Sequence, residues 1–225
     1  VLDLLEERPD EVPTTARIAK RVNAVPAALY RHFEGLDEIL DAVITHVLET
    51  GPSDLNPEAP WQEQLSNWMH GLRTHLLNHP AVLAMIDRAG RTSPAWLEAS
   101  SALVEILARA GLSGGALARN YLWVLETTVG LVIQEAAMPL AVQLSSARAA
   151  RTELSETARR RFAPIVDEIE SIDAESFFEF AVARTTEGVR IEAHGAQTRE
   201  SSAVQARGAR TTRGVRIKAR GAREP

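Results

Sequence analysis

Apolar residues recur along this chain every three to four positions, and strict two-residue alternation is nearly absent, which predicts helices and no sheet. Leu36, Ile39, Leu40, Val43, Ile44, Val47 and Leu48 form one apolar stripe. The stretch "GPSDLNPEAP", residues 51–60, then interrupts it. Gly51 suits a helix C-terminus, and Pro52, Pro57 and Pro60 forbid continuation, so a linker and domain boundary are expected here. A second series begins with Trp61, Leu65, Trp68, Met69, Leu72, Leu76 and Leu77. Helices near 80–89 and 95–110 follow, the latter closing at Gly111. Residues 116–138 are apolar on more than one face, so that helix must be buried on more than one side. A polar stretch containing "SSARAARTELSE" separates it from helices at about 155–169 and from about 174, the last built on "AESFFEFAVA". The expected fold is all-α: residues 1–50 as a three-helix unit whose first helix is truncated to "VLDLLEE", and 61–193 as a larger helical domain.

The tail departs from this pattern. "ARTTEGVRIEAHGAQ" at 183–197 returns as "ARTTRGVRIKARGAR" at 209–223, but the second copy lacks the apolar residues of a core. Residues 194–225 are therefore expected to be a disordered basic tail, either a functionless extension or an arm with non-specific affinity for nucleic acid. They hold eight basic residues against two acidic ones, a net charge of +6, so the formal −5 of the whole chain hides a body of −11.

Inside that acidic body, "TTARIAKRVNAVPAALYRHF", residues 14–33, contains no carboxylate. Thr14 or Thr15 can cap a short helix on which Ile18, Ala19 and Val22 face inward and Arg17, Lys20 and Arg21 outward. Asn23 stands where a left-handed residue would end it, and Pro26 suits the first position of a second helix, "PAALYRHF". Two short helices joined by about three residues have helix-turn-helix geometry. Ala27 and Ala28 would let the backbone approach a major groove, while Tyr30, Arg31 and His32 could reach bases or phosphates. A solvated basic face over ordinary core aromatics is the competing reading of the same residues.

The run "TTARIAKRVNAVPAALYRHFEGLDEILDAV", with Leu29–Phe33 as its most distinctive part, resembles the DNA-binding segment of the TetR family of bacterial transcriptional regulators. "WQEQLSNWMHGLRTHLLNHP" and "ESFFEFAVARTTEGV" resemble the regulatory domain of its tetracycline-repressor branch, so the likeness spans about residues 1–193. It implies a homodimer that binds palindromic operator duplex DNA and encloses a small-molecule effector. By resemblance, Thr15, Arg17 and Ala27 lie at the DNA face, Tyr30 and His32 meet phosphates, and Ala28 and Arg31 lie near base edges. The implied chamber is lined by Trp68, Leu72, Ile86, Tyr121, Leu125 and Gln134. Ile86 stands where tetracycline-binding members carry a metal-ligating His, and Gln134 where they carry an acid, so a magnesium–tetracycline chelate is not the expected effector. A largely apolar molecule is. Departures from the family pattern are Val25 in place of a capping Ser or Thr, Leu36 in place of a phosphate-holding Lys, and Glu34 nearby.

Other functions find little support. The chain has no cysteine, no Gly-rich phosphate loop, no G-x-S-x-G and no HExxH, so no enzyme, cofactor or metal is expected. His70, His75 and His79 have no matching carboxylates at helical spacing and read as surface or helix-end residues. No apolar run approaches a membrane span, and the cytoplasm is the expected compartment. The remaining alternative is a helical dimeric binding protein that has lost specific DNA binding.

Overall fold

In the computed structural model, residues 1–8, 11–51, 56, 58–89, 94–165, 168–169 and 171–221 are described, with the backbone alone for 86–89, 197 and 199–221. No strand occurs among them. The helices are α1 (Leu2–Glu6), α2 (Thr15–Arg21), α3 (Pro26–Leu29), α4 (Leu36–Leu48), α5 (Trp61–Leu77), α6 (Pro80–Ala89), α7 (Pro94–Arg109), α8 (Gly114–Ala137), α9 (Leu140–Ala150), α10 (Glu156–Phe162) and α11 (Ala174–Gly221). No single helix is long and apolar enough to cross a membrane.

Three clusters of buried side chains organise the chain. Leu4, Ile18 and Ile39 close the N-terminal helices, with Leu29, Phe33 and Leu36 packed around them. Leu65, Met69, Leu76, Leu103, Ile106, Leu107, Val124 and Val132 lie at the centre of the body, where α5, α7 and α8 pack on one another and α11 covers α5 and α8. Between these two lies a junction of Leu5, Ile44, Val47, Leu48, Ala81, Val82 and Met85, which seats α1 and α4 on α6.

Some local expectations differ from the structure, among them the helix expected at about 155–169, which ends at Phe162. The second helix of the motif is assigned only over Pro26–Leu29. Even so, Tyr30 N–H still donates to Pro26 O (3.3 Å) and Phe33 N–H to Leu29 O (3.0 Å), so the chain stays coiled as a turn through residue 33. Val22 is exposed rather than inward, because it is the C-cap of α2, where the helical register ends. The polar stretch after α8 is mostly a helix, α9. Pro139 starts it, and it has no fully buried residue, which is why its apolar pattern is faint. Finally, the backbone of α11 runs helically through the stretch expected to be unstructured, as far as Gly221. No proline falls between Pro164 and Pro225 to break it.

Candidate nucleic-acid interface and effector chamber

Helix α2 starts as its sequence dictates: Thr14 accepts a hydrogen bond from Arg17 N–H (3.3 Å), satisfying one orphan donor of the first turn. Just past its C-cap Val22 stands Asn23, whose φ of 54° is the left-handed conformation that reverses the chain toward α3. Pro26 opens α3, where a missing N–H is harmless. Val25 caps it without a side-chain hydrogen bond and is exposed. Ile18 and Ala19 are fully buried beneath this turn and hold the two helices together.

The predicted residues lie on the packed pair α2 and α3 or in the turn just after it. Ala27, Tyr30, Arg31 and His32 are exposed, and Thr15, Arg17 and Ala28 are half-buried beside them. Tyr30 Oη lies 3.4 Å from Thr15 Oγ1, a contact that ties the turn after α3 back to the start of α2. The carboxylate-free stretch is not carboxylate-free in space. Glu11 reaches Arg17 (3.3 Å) and Glu7 reaches Arg21 (2.7 Å), so acids outside the stretch partly neutralise it. Only a contact map could show this, because both acids lie upstream of the motif.

The predicted chamber residues divide. Trp68 and Leu72 on α5 and Leu125 on α8 are buried in the body, and Tyr121 is half-buried with them. Tyr121 Oη and Ser100 Oγ on α7 are 2.8 Å apart, while Ser100 also donates to Trp96 O (2.8 Å). Trp68 Nε1 is buried and has no hydrogen-bond partner. An orphaned buried donor costs about 1–3 kcal/mol, which an incoming acceptor would recover. Gln134 is exposed near the end of α8 and does not join this group, and the Ile86 side chain lies outside the described residues. Two cavities, of about 650 and 250 Å³, lie along α9 and share Leu144 and Arg148 in their linings.

One polar centre of the body escaped the sequence reading. Arg73 donates to both oxygens of Glu135 (Nε 2.8 Å, Nη2 2.9 Å) and to Glu175 (Nη1, 2.6 Å), and its guanidinium stacks 4.7 Å from the Phe178 ring. It joins α5, α8 and α11. The hydrogen bond to Glu135, with a smaller one to Glu175, raises its pKa well above the usual arginine range. Next to it, His70 Nε2 lies 3.3 Å from Glu179, and His70, Glu175 and Glu179 come within ligand distance of one another. The carboxylates near His70 thus come from α11 rather than from its own helix face. Glu175 is already held by Arg73.

Outside the core, Leu122 and Trp123 on α8 and Phe177, Phe180 and Ile191 on α11 are all exposed, on the two longest helices.

Comparisons with known proteins agree with this architecture. The family profile "Tetracyclin repressor-like, C-terminal domain" matches residues 53–192. The tetracycline repressor protein class A from transposon 1721 of Escherichia coli is 30% identical over 138 residues, 60% of this chain and 63% of that repressor's length. Among solved structures, a possible TetR family transcriptional regulator from Streptomyces coelicolor A3(2) is 26% identical, covers 84% of this chain and 95% of its own, and superposes with a TM-score of 0.69. Apo ActR from Streptomyces coelicolor superposes with a TM-score of 0.74 at 21% identity, over 87% of this chain and 93% of its own, a likeness of fold. ActR has also been solved in complex with actinorhodin.

Proposed function

The chain belongs to the TetR family, and from that premise we propose that it is a ligand-responsive transcriptional regulator that binds a palindromic operator as a homodimer. The observation that carries this reading is the helix-turn-helix surface. Asn23 turns the chain into α3, and Ala27 on that helix and Tyr30, Arg31 and His32 in the turn that follows it are exposed. Small residues at the start of α3 admit the backbone to a major groove, Arg31 can read base edges, and Tyr30, His32 and Thr15 can hold phosphates.

A second copy would cover Trp123 and Phe180 through an isologous contact of α8 and α11, setting two readers a fixed distance apart. An effector between α5, α7 and α8 would be largely apolar and carry a hydrogen-bond acceptor for Trp68 Nε1, with the Tyr121–Ser100 pair as a second polar contact. Binding there releases the operator by favouring a reader spacing that no longer fits two half-sites.

The test is selection from a pool of random-sequence duplexes, followed by a salt titration of the recovered duplex. A palindromic consensus and a steep negative dependence of affinity on salt are expected. A helical dimeric binding protein without specific DNA binding is the second reading, favoured by the engagement of Arg17 and Arg21 by Glu11 and Glu7. It predicts no consensus and a shallow slope.

A further inference from the structure

The end of α5 grips the N-terminal helices through two histidines. Trp68, Leu72, His75 and His79 follow at spacings of four, three and four, one stripe of a helix, although His79 lies just beyond its last residue. The first two lie in the body core. The last two reach out of it. His75 Nε2 lies 2.8 Å from Val47 O at the end of α4, and since a carbonyl only accepts, that nitrogen carries the proton. His79 Nδ1 lies 3.6 Å from Glu6 Oε1 on α1, and both atoms are buried without a hydrogen-bond partner. The other Glu6 oxygen accepts from Ala81 N–H (3.2 Å) at the start of α6. The two imidazoles meet edge to face, with centroids 5.1 Å apart. Helices α1, α4 and α6 therefore converge on the end of the helix that carries Trp68.

We propose that His75, His79 and Glu6 form a clasp through which α5 positions the DNA-binding helices, with His75 as its proton-sensitive member. The proposal rests on the regulator reading above. In it, a shift of Trp68 and Leu72 on ligand binding is delivered along one rigid helix to α4 and α1. His75 and His79 act in it as positioning residues, through their contacts with Val47 and Glu6.

The direction of the proton effect follows from the surroundings of His75. The titratable side chains facing it among the described residues are His79 and, behind that, Glu6. The described side chains of α6, residues 80–85, carry no titratable group, and at the end of α4 His46 and Glu49 are exposed. Burial pushes His75 below the ordinary histidine range, the Val47 bond opposes this, and neighbouring His79 adds to the lowering. The assembled clasp thus favours neutral His75. Its contribution is present above the ordinary histidine value of about 6.5 and is lost as pH falls through the lowered one. Acid loosens the grip, and a loosely held reader must be ordered again on docking, so operator affinity falls.

The test compares full-length wild type, His75→Gln and His75→Leu on the selected duplex from about pH 5.5 to about pH 8 at constant ionic strength. His32 is present in all three, so the ratio of variant to wild type isolates the clasp. His75→Gln keeps an N–H for Val47 O and cannot be charged. It should lie within about threefold of wild type at the alkaline end and bind roughly fivefold tighter than wild type at the acid end. His75→Leu should bind roughly fivefold more weakly than wild type at the alkaline end. In parallel, hydrogen exchange at the Thr50 and Gly51 amides, which donate to Val47 O (3.1 Å) and Leu48 O (3.0 Å) at the end of α4, should, once corrected for intrinsic rates, quicken with acid in wild type and not in His75→Gln. Ratios that stay constant within about twofold across the range, with pH-independent exchange at those amides, overturn the clasp. Failure to recover any duplex overturns the regulator reading instead, and the exchange measurement then decides the clasp alone.

Discussion

The N-terminal helices and the body solve opposite problems with the same helical alphabet. In the first, three buried residues, Leu4, Ile18 and Ile39, suffice to hold a scaffold whose candidate functional side chains point outward. In the second, a continuous core runs through α5, α6, α7, α8 and α11, and Trp68, Leu72 and Leu125 are part of it. A thin core leaves recognition on a short linear stretch, whereas a thick one scatters a binding site over helices far apart in the chain. The first kind of site can be lost by one surface substitution, and the second only by a change that the core also feels.

Truncating the core separates the two regions most strongly. Leu103→Ala, at a fully buried position of the body, should cost about 2–5 kcal/mol and lower the main thermal transition. Ile18→Ala, equally buried, should cost a similar amount, about 2–5 kcal/mol. That loss should appear as melting of α1–α4 and failure of DNA binding, with the α5–α8 body still folded by circular dichroism. A single transition shifted equally by both changes would show that the junction at Leu5, Val47 and Val82 makes one cooperative unit of the two.

A surface change tests the other half of the contrast. Arg31 is exposed and has no structural role among its described contacts, so Arg31→Ala should leave the melting temperature in place. It should cost about 1–3 kcal/mol of discrimination between the selected duplex and a mismatched one. Fluorescence anisotropy against both duplexes reads this directly. An unchanged ratio would move base recognition away from Arg31.

The same contrast governs what could be read from the residues alone. Helix positions in the body followed from apolar periodicity and from Gly and Pro punctuation, because a deep core enforces the pattern: α5, α6 and α7 lie within a residue or so of expectation. Helix α9 did not follow, since nothing buries it completely and its stripe is weak. The turn at Asn23 was legible because so few residues accept a positive φ. The Arg73 centre was invisible, as its partners Glu135 and Glu175 are 62 and 102 residues away and no local spacing encodes that meeting. For the proposed chamber, the apolar character of Trp68 and Leu125 suits a core position and a ligand contact alike. What distinguishes Trp68 is its unsatisfied N–H, which belongs to the folded state.

The smallest expected effect bears on the region that looked simplest. Residues 14–33 are free of carboxylates, yet Glu7 and Glu11 lie 2.7 Å from Arg21 and 3.3 Å from Arg17. All four side chains are at least a third exposed, so each pair is worth little in stability, about 0–1 kcal/mol. Their consequence for DNA is larger than for the fold. An arginine that must leave a carboxylate to meet a phosphate returns less binding energy, and the carboxylate left behind repels the polyanion. Glu7→Gln with Glu11→Gln should therefore leave thermal stability nearly unchanged while tightening DNA affinity roughly two- to fivefold. The dependence of log affinity on log salt should steepen as Arg17 and Arg21 become available to phosphates. The gain should be the same on selected and random duplexes, because phosphates carry no sequence information. A gain confined to the selected duplex would instead place these arginines at base edges. No gain at all would mean that the ion pairs already open when DNA arrives.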